Sequence, residues 1–200
     1  MKMGTKKRGQ VHVMLDIETL GTESDTLIFQ IAASKFDIKT GEIRENFNVI
    51  QNIDEVKSAT INPSTLLWWL ETNPLLLRDL LAKKGGKVSD DILLEFKDWI
   101  DYIQGTLYDD VLLWGNGVIF DNRFLREQMI GRGYEYPIKY KNDRDVRTIL
   151  HLAAEKMGVT EVSIKERLKD DRLTEHHALD DVEAQVKLVS YCYNVLMGKL

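Results

Sequence analysis

Val11-His12-Val13-Met14-Leu15-Asp16-Ile17-Glu18-Thr19 decides how the rest of the chain is read. Val11 to Leu15 is an apolar run and reads as a buried strand. Side chains alternate along a strand, so Asp16 and Glu18 point the same way at the end of an element that belongs in a core. Two like charges held there repel each other and lose hydration. A shared proton or a bound cation must compensate, and the remaining residues decide between them.

Outward from that strand, Thr26 to Phe36 reads as a second strand. After the turn Lys39-Thr40-Gly41, Ile43 to Ile50 alternates as a third. Short connections predict antiparallel neighbours, hence a three-stranded meander. Asn62-Pro63 and Asn73-Pro74 each combine an N-cap with a proline at the first helical position, and the second helix is expected to run to Gly85-Gly86. Ser89 is read as the cap of a helix whose Ile92, Leu93, Phe96, Trp99, Ile100 and Ile103 follow helical spacing. Val111 to Trp114 predicts a fourth strand, Phe120 to Ile130 a helix, Asp145-Val146 a short fifth strand and Arg147 to Lys156 another helix. Val159 to Glu175 reads as loop or short helix, and Ala178 to Leu196 as the last helix. The order predicts an α/β fold with a mixed central sheet, an antiparallel meander continued by parallel strands, and helices on its faces.

The chain has 200 residues, 44% hydrophobic and 30% charged, which suits one soluble domain over residues 11–200 preceded by a basic arm over 1–10. Lys6-Lys7-Arg8 in that arm reads as a solvated terminus. No segment approaches a membrane span, and no signal peptide is expected. The lone Cys192 fits a reducing cytoplasm. A net charge of −5 argues against coating nucleic acid by bulk positive charge, though not against an enzyme that acts on it.

Asp121 heads an apolar stripe through Phe124, Leu125, Gln128 and Met129. Asp181 heads another through Ala184, Gln185, Leu188, Val189 and Cys192. One such Asp is ordinarily a helix-start acid favoured by the dipole. Two of them, on core-facing stripes beside Asp16 and Glu18, argue for divalent cations instead. An oxygen-only donor set points to magnesium or manganese. Glu175-His176-His177-Ala178-Leu179-Asp180-Asp181 adds a candidate base. On one continuous helix His177 would share a face with Asp181, and His176 with Asp180. His176 meets Asp181 only if it lies on the loop before the helix, where it would be a candidate general base.

Asp16-x-Glu18-Thr19, the Asn116 to Asp121 stretch, and His176-x-Ala178-Leu179-x-Asp181 resemble, in order, the three motifs of the DEDDh 3′–5′ exonuclease superfamily. Trp114-Gly115-Asn116-Gly117-x-x-Phe120-Asp121-Asn122 and Asn142-Asp143-Arg144-Asp145-Val146-Arg147-Thr148 look like the branch holding phage exodeoxyribonucleases of the exodeoxyribonuclease A type and a mycobacterial exoribonuclease. Proofreading subunits usually carry Asn four residues before the second-motif Asp, whereas Asn116 is five before Asp121. They usually carry Asp-Thr where this chain has Arg147-Thr148. The resemblance implies a ribonuclease H-like fold and two divalent cations ~4 Å apart. It implies Asp16, Glu18, Asp121 and Asp181 as their ligands, His176 as base, and release of nucleoside 5′-monophosphates. It also implies that Thr19 and Leu20 border the terminal nucleotide.

Trp68 or Trp69 could stack on an unpaired base, and helical rotation of ~100° per residue lets only one of them face the site. Trp69 is the choice here, a turn from Leu66. Asn116 is read as holding the loop or a water at the substrate edge. Phe120 stands as a further substrate-side candidate against a core-packing alternative. Arg144 and Arg147 could bind phosphate, with an ion pair to Asp143 or Asp145 as the competing reading. The expected substrate is the 3′ end of single-stranded nucleic acid, DNA before RNA, with no membrane and with a homodimer as a possible assembly, in the cytoplasm of a bacterial or phage-infected cell. The alternative is a proofreading or nucleic-acid-binding module that acts with a polymerase.

Overall fold

The structure is a computed structural model that describes residues 9–105 and 110–200. Lys6-Lys7-Arg8, the basic cluster of the expected arm, lies outside the described residues. Six strands form one sheet: β1 (Gln10–Thr19), β2 (Ile28–Phe36), β3 (Ile43–Gln51), β4 (Lys87–Ser89), β5 (Asp110–Gly115) and β6 (Asp143–Asp145). Their order is β4-β3-β2-β1-β5-β6. β1, β2 and β3 are antiparallel in sequence order, as the short turns predict. β4, β5 and β6 each pair parallel with their neighbour.

Seven α-helices flank the sheet among the described residues: α1 (Pro63–Thr72), α2 (Pro74–Leu81), α3 (Ile92–Gln104), α4 (Asp121–Gly131), α5 (Val146–Met157), α6 (Glu161–Leu168) and α7 (Ala178–Leu196). The alternation of β1 sorts the two faces. Val13, Leu15 and Ile17 pack with residues of α3 and α4, such as Phe96, Ile100, Phe124 and Leu125. Met14 points the other way, with Leu150 of α5 and Val182, Val186 and Val189 of α7. Asp16 and Glu18 continue the Met14 face and so lie under α7. A third cluster holds Leu20, Phe29, Ile50, Trp69, Leu77 and Leu80 beneath α1 and α2. No helix among the described residues is long and apolar enough to cross a membrane.

Both Asn-Pro starts form as expected. The Asn62 side chain accepts from Ser64 N–H and Thr65 N–H, and that of Asn73 from Leu76 N–H. Three expectations are corrected. α2 stops at Leu81, short of Gly85-Gly86, because Lys83 takes φ +64 and turns the chain with its N–H on the Leu80 carbonyl. The cap of α3 is Asp91, which accepts from Leu94 N–H, while Ser89 ends the edge strand β4. Asp145 ends β6 and caps α5, so that strand covers Asp143–Asp145 rather than Asp145-Val146.

Candidate active site

β1 outlasts its parallel neighbour. Pairing with β5 ends at Met14 opposite Trp114, while β1 continues to Thr19. The overhang presents Asp16 and Glu18 to α7, which crosses that face. Glu18 is 7% exposed and Asp16 is half-buried. Carboxylate oxygens of Asp16, Glu18 and Asp181 all lie within 4.8 Å of one another. One turn further along α7, buried Gln185 donates from Nε2 to Asp16 Oδ1 at 2.9 Å. Asp121 stands one step off that group of three. It opens α4 on the opposite face of the sheet, and its carboxylate feels the backbone N–H groups of Ile17 and of its own residue.

Burial and mutual repulsion set the electrostatics. Burial first, then Asp121 and Asp181, push the Asp16 carboxyl well above its ordinary range, against the Gln185 hydrogen bond. Burial, then Asp16, Asp181 and Asp121, do the same to Glu18. Burial lifts Asp121 to about 7 despite its backbone donors and the nearby Arg147 charge. Burial lifts Asp181 to about 6, opposed by the His176 N–H. Such a cluster cannot be fully ionised near neutral pH by itself. Clustered oxygen donors without sulfur, on a half-open face, are the set that hard divalent cations take, so the residues fit magnesium or manganese.

His176 is on the loop, not the helix. It sits at φ +66, one residue before His177, whose carbonyl accepts the Asp180 and Asp181 N–H groups at the start of α7. The His176 N–H donates to Asp181 Oδ2 at 3.0 Å, so the two residues that helical spacing would separate do meet. His177 instead lies 3.4 Å from Asp180, Nδ1 to Oδ1. The His176 ring packs edge-on against Trp68, with centroids 4.8 Å apart.

The aromatic assignment is corrected by this packing. Trp69 is 1% exposed in the third core cluster, and its Nε1 donates to the Thr19 carbonyl at 3.0 Å. No face of that ring is open to a base. Trp68, 41% exposed beside His176, is the ring that faces outward. Leu20 is likewise buried against Trp69, so it packs as core. Thr19 is buried, and its hydroxyl donates to the Gly21 carbonyl at 2.7 Å, which shapes the turn after β1. Phe120 is half-buried with its centroid 4.3 Å from Phe124, and Asn116 is half-buried in the turn after β5. Among the described residues neither arginine forms an ion pair with the carboxylate of Asp143 or Asp145: Arg144 donates to the Lys141 and Asp143 carbonyls. Sequence reasoning overlooked Gln185, whose only signal is an amide on an otherwise apolar stripe one turn past Asp181. His12 accepts from Trp114 Nε1 at 3.0 Å and is structural, as expected.

Solved structures of nucleases share this fold. The nuclease domain of 3′hExo, a DEDDh family member bound to rAMP, superposes with a TM-score of 0.64 at 15% identity, over 95% of this chain and 94% of that one. Cell-death related nuclease 4 gives 0.64 at 16% identity, over 96% of this chain and 65% of that one. Exonuclease I of E. coli, in complex with a 5cy-dT13 oligonucleotide, gives 0.58 at 17% identity, over 90% of this chain and 40% of that one. Among curated proteins no relative matches the sequence. The model of the 3′–5′ exoribonuclease Rv2179c-like domain matches residues 11–193, and the chain belongs to that family of 3′–5′ exonucleases.

Proposed function

We propose that residues 11–200 act as one exonuclease domain that removes nucleoside 5′-monophosphates from the 3′ ends of single-stranded nucleic acid in the cytoplasm. The observation that carries this reading is the convergence of the Asp16, Glu18 and Asp181 carboxylates within 4.8 Å, with His176 hydrogen-bonded at their edge. Asp16, Glu18, Asp181 and Asp121 would hold divalent cations, magnesium or manganese, and such cations would supply Lewis-acid charge for hydrolysis of the last phosphodiester. His176 is placed on a loop, where its ring can swing toward the water and take its proton. Gln185 fixes one oxygen of Asp16 and leaves the other for a ligand. Trp68 supplies a stacking face for the terminal base, in place of Trp69.

RNA is placed first among substrates. The support is the family's description as exoribonuclease, whereas the sequence alone put DNA first. End-labelled RNA and DNA oligonucleotides with magnesium or manganese test both points. Mononucleotides should appear from the 3′ end, faster from RNA, and chelator or Asp16→Ala should stop their release. If Asp16→Ala digests at the wild-type rate, the centre lies elsewhere.

A further inference from the structure

We propose that Arg147 grips a backbone phosphate of the strand at the reacting end, its guanidinium held over the bare backbone of Gly117. This rests on the exonuclease reading above and assigns a substrate contact to a residue outside the three motifs.

Arg147 occupies the first turn of α5, where a cation works against the helix dipole. It is therefore not placed there for the helix. The two acids nearest it in sequence are engaged. Asp145 Oδ1 accepts from the Thr148 N–H at 2.8 Å and from the Thr148 hydroxyl at 3.1 Å, and Asp145 Oδ2 accepts from the Val118 N–H at 3.3 Å. Asp143 Oδ1 accepts from Asn122 Nδ2 at 2.8 Å. Arg147 forms no ion pair among the described residues, and it is exposed.

The turn beneath it is shaped to receive a flat group. Gly117 takes φ +126, a backbone conformation that L side chains rarely adopt, and a Cβ there would lie 3.3 Å from Arg147 Nη2 and 3.4 Å from Cζ. The same turn leads into Asp121, whose carboxylate feels the Arg147 charge. An exposed donor fork without an ion pair among the described residues thus lies near Asp121, an acid that would otherwise repel a polyanion. A guanidinium matches two phosphate oxygens at once and is only weakly hydrated. Arg144, four residues earlier than Thr148, offers a contrast, because carbonyls of Lys141 and Asp143 occupy it.

The test compares Arg147→Gln, Arg147→Lys and Arg144→Gln in the full chain, with a labelled single-stranded RNA oligonucleotide and magnesium. Arg147→Gln should raise KM roughly ten- to a hundredfold, the effect of one charge-assisted hydrogen-bond pair, with a smaller change in kcat. The slope of log KM against log salt should fall by about 0.7, the value for one phosphate contact on a single strand. Arg147→Lys should restore the slope but only part of KM, since an ammonium cannot form the fork. Arg144→Gln should leave both unchanged. An unchanged slope in Arg147→Gln overturns the proposal, and so does an equal loss in Arg144→Gln. If the wild type releases no mononucleotide at all, the exonuclease reading fails instead. The phosphate contact is then decided by the same salt slope in anisotropy titrations of the labelled oligonucleotide.

Discussion

Gln185 Nε2 donates to Asp16 Oδ1 at 2.9 Å, a hydrogen bond that ties the last helix to the first strand across 169 positions of sequence. It is the side-chain hydrogen bond that draws the Asp16 proton affinity down, while burial and the other carboxylates drive it up. Gln185→Leu should therefore raise that affinity further. The acid limb of the rate against pH should move to higher pH, and activity at neutral pH should fall roughly tenfold, the scale of one hydrogen bond to a charged group. Rates measured from pH 6 to 9 at saturating magnesium check this. A profile that falls in height without moving would assign Gln185 to packing alone.

The acidic cluster also predicts the pH dependence of stability. Folding raises these carboxyl groups, Asp121 to about 7 and Asp181 to about 6, from ordinary values near 3.8. The folded state then binds more protons than the unfolded one between those limits, so stability falls as pH rises from the ordinary range through the raised values. Metal-free protein should melt at a higher temperature at pH 5 than at pH 8. Added magnesium should recover part of the loss by binding the folded state. Asp121→Asn removes one buried charge, and should raise the Tm of chelated protein at pH 8 by on the order of 5 °C while abolishing turnover. Calorimetry across that pH range, with and without chelator, reads all three effects.

The two adjacent histidines differ in backbone as well as in neighbours. His176→Ala should lower kcat by about two to four orders of magnitude, as loss of a general base does, and His177→Ala far less. His176→Gly is the sharper probe, because glycine accepts φ +66 without strain. If His176→Gly keeps wild-type turnover, the base is another group.

Trp68 and Trp69 should separate into binding and folding. Trp68→Ala removes an exposed ring and should raise KM by about five- to a hundredfold, the range for one stacked base, with little change in Tm. Trp69→Ala empties a buried site and should cost roughly 3–5 kcal/mol in chemical denaturation. Equal effects of both on KM would undo the distinction.

How much of this was legible follows from the residues. The meander could be read because Ile43 to Ile50 alternates and the turns before it are short. Asp121 and Asp181 stood out because an acid heading an apolar stripe is at odds with its surroundings. The Trp68/Trp69 choice was not legible: Leu66, Leu67, Trp68, Trp69 and Leu70 are apolar on every side, so the pattern fixes no rotation of the helix. β4 escaped notice because Lys87-Val88-Ser89 is short and mostly polar, like the loops around it. The end of α2 depends on a lysine in the left-handed region, a position where sequence reasoning expects glycine. The separation of Asp121 from the other three acids arises from the sheet itself, which places α4 and α7 on opposite faces.

The meeting of Asp16 with Asp181 and Gln185 has a further consequence during synthesis. β1 is synthesised before α7, and Gln185, which holds Asp16, follows it by 169 positions. A nascent chain therefore carries Asp16 and Glu18 long before Asp181 and Gln185 can join them. A 3′–5′ exonuclease of this family is thus without its assembled acidic cluster until α7 has folded back onto β1.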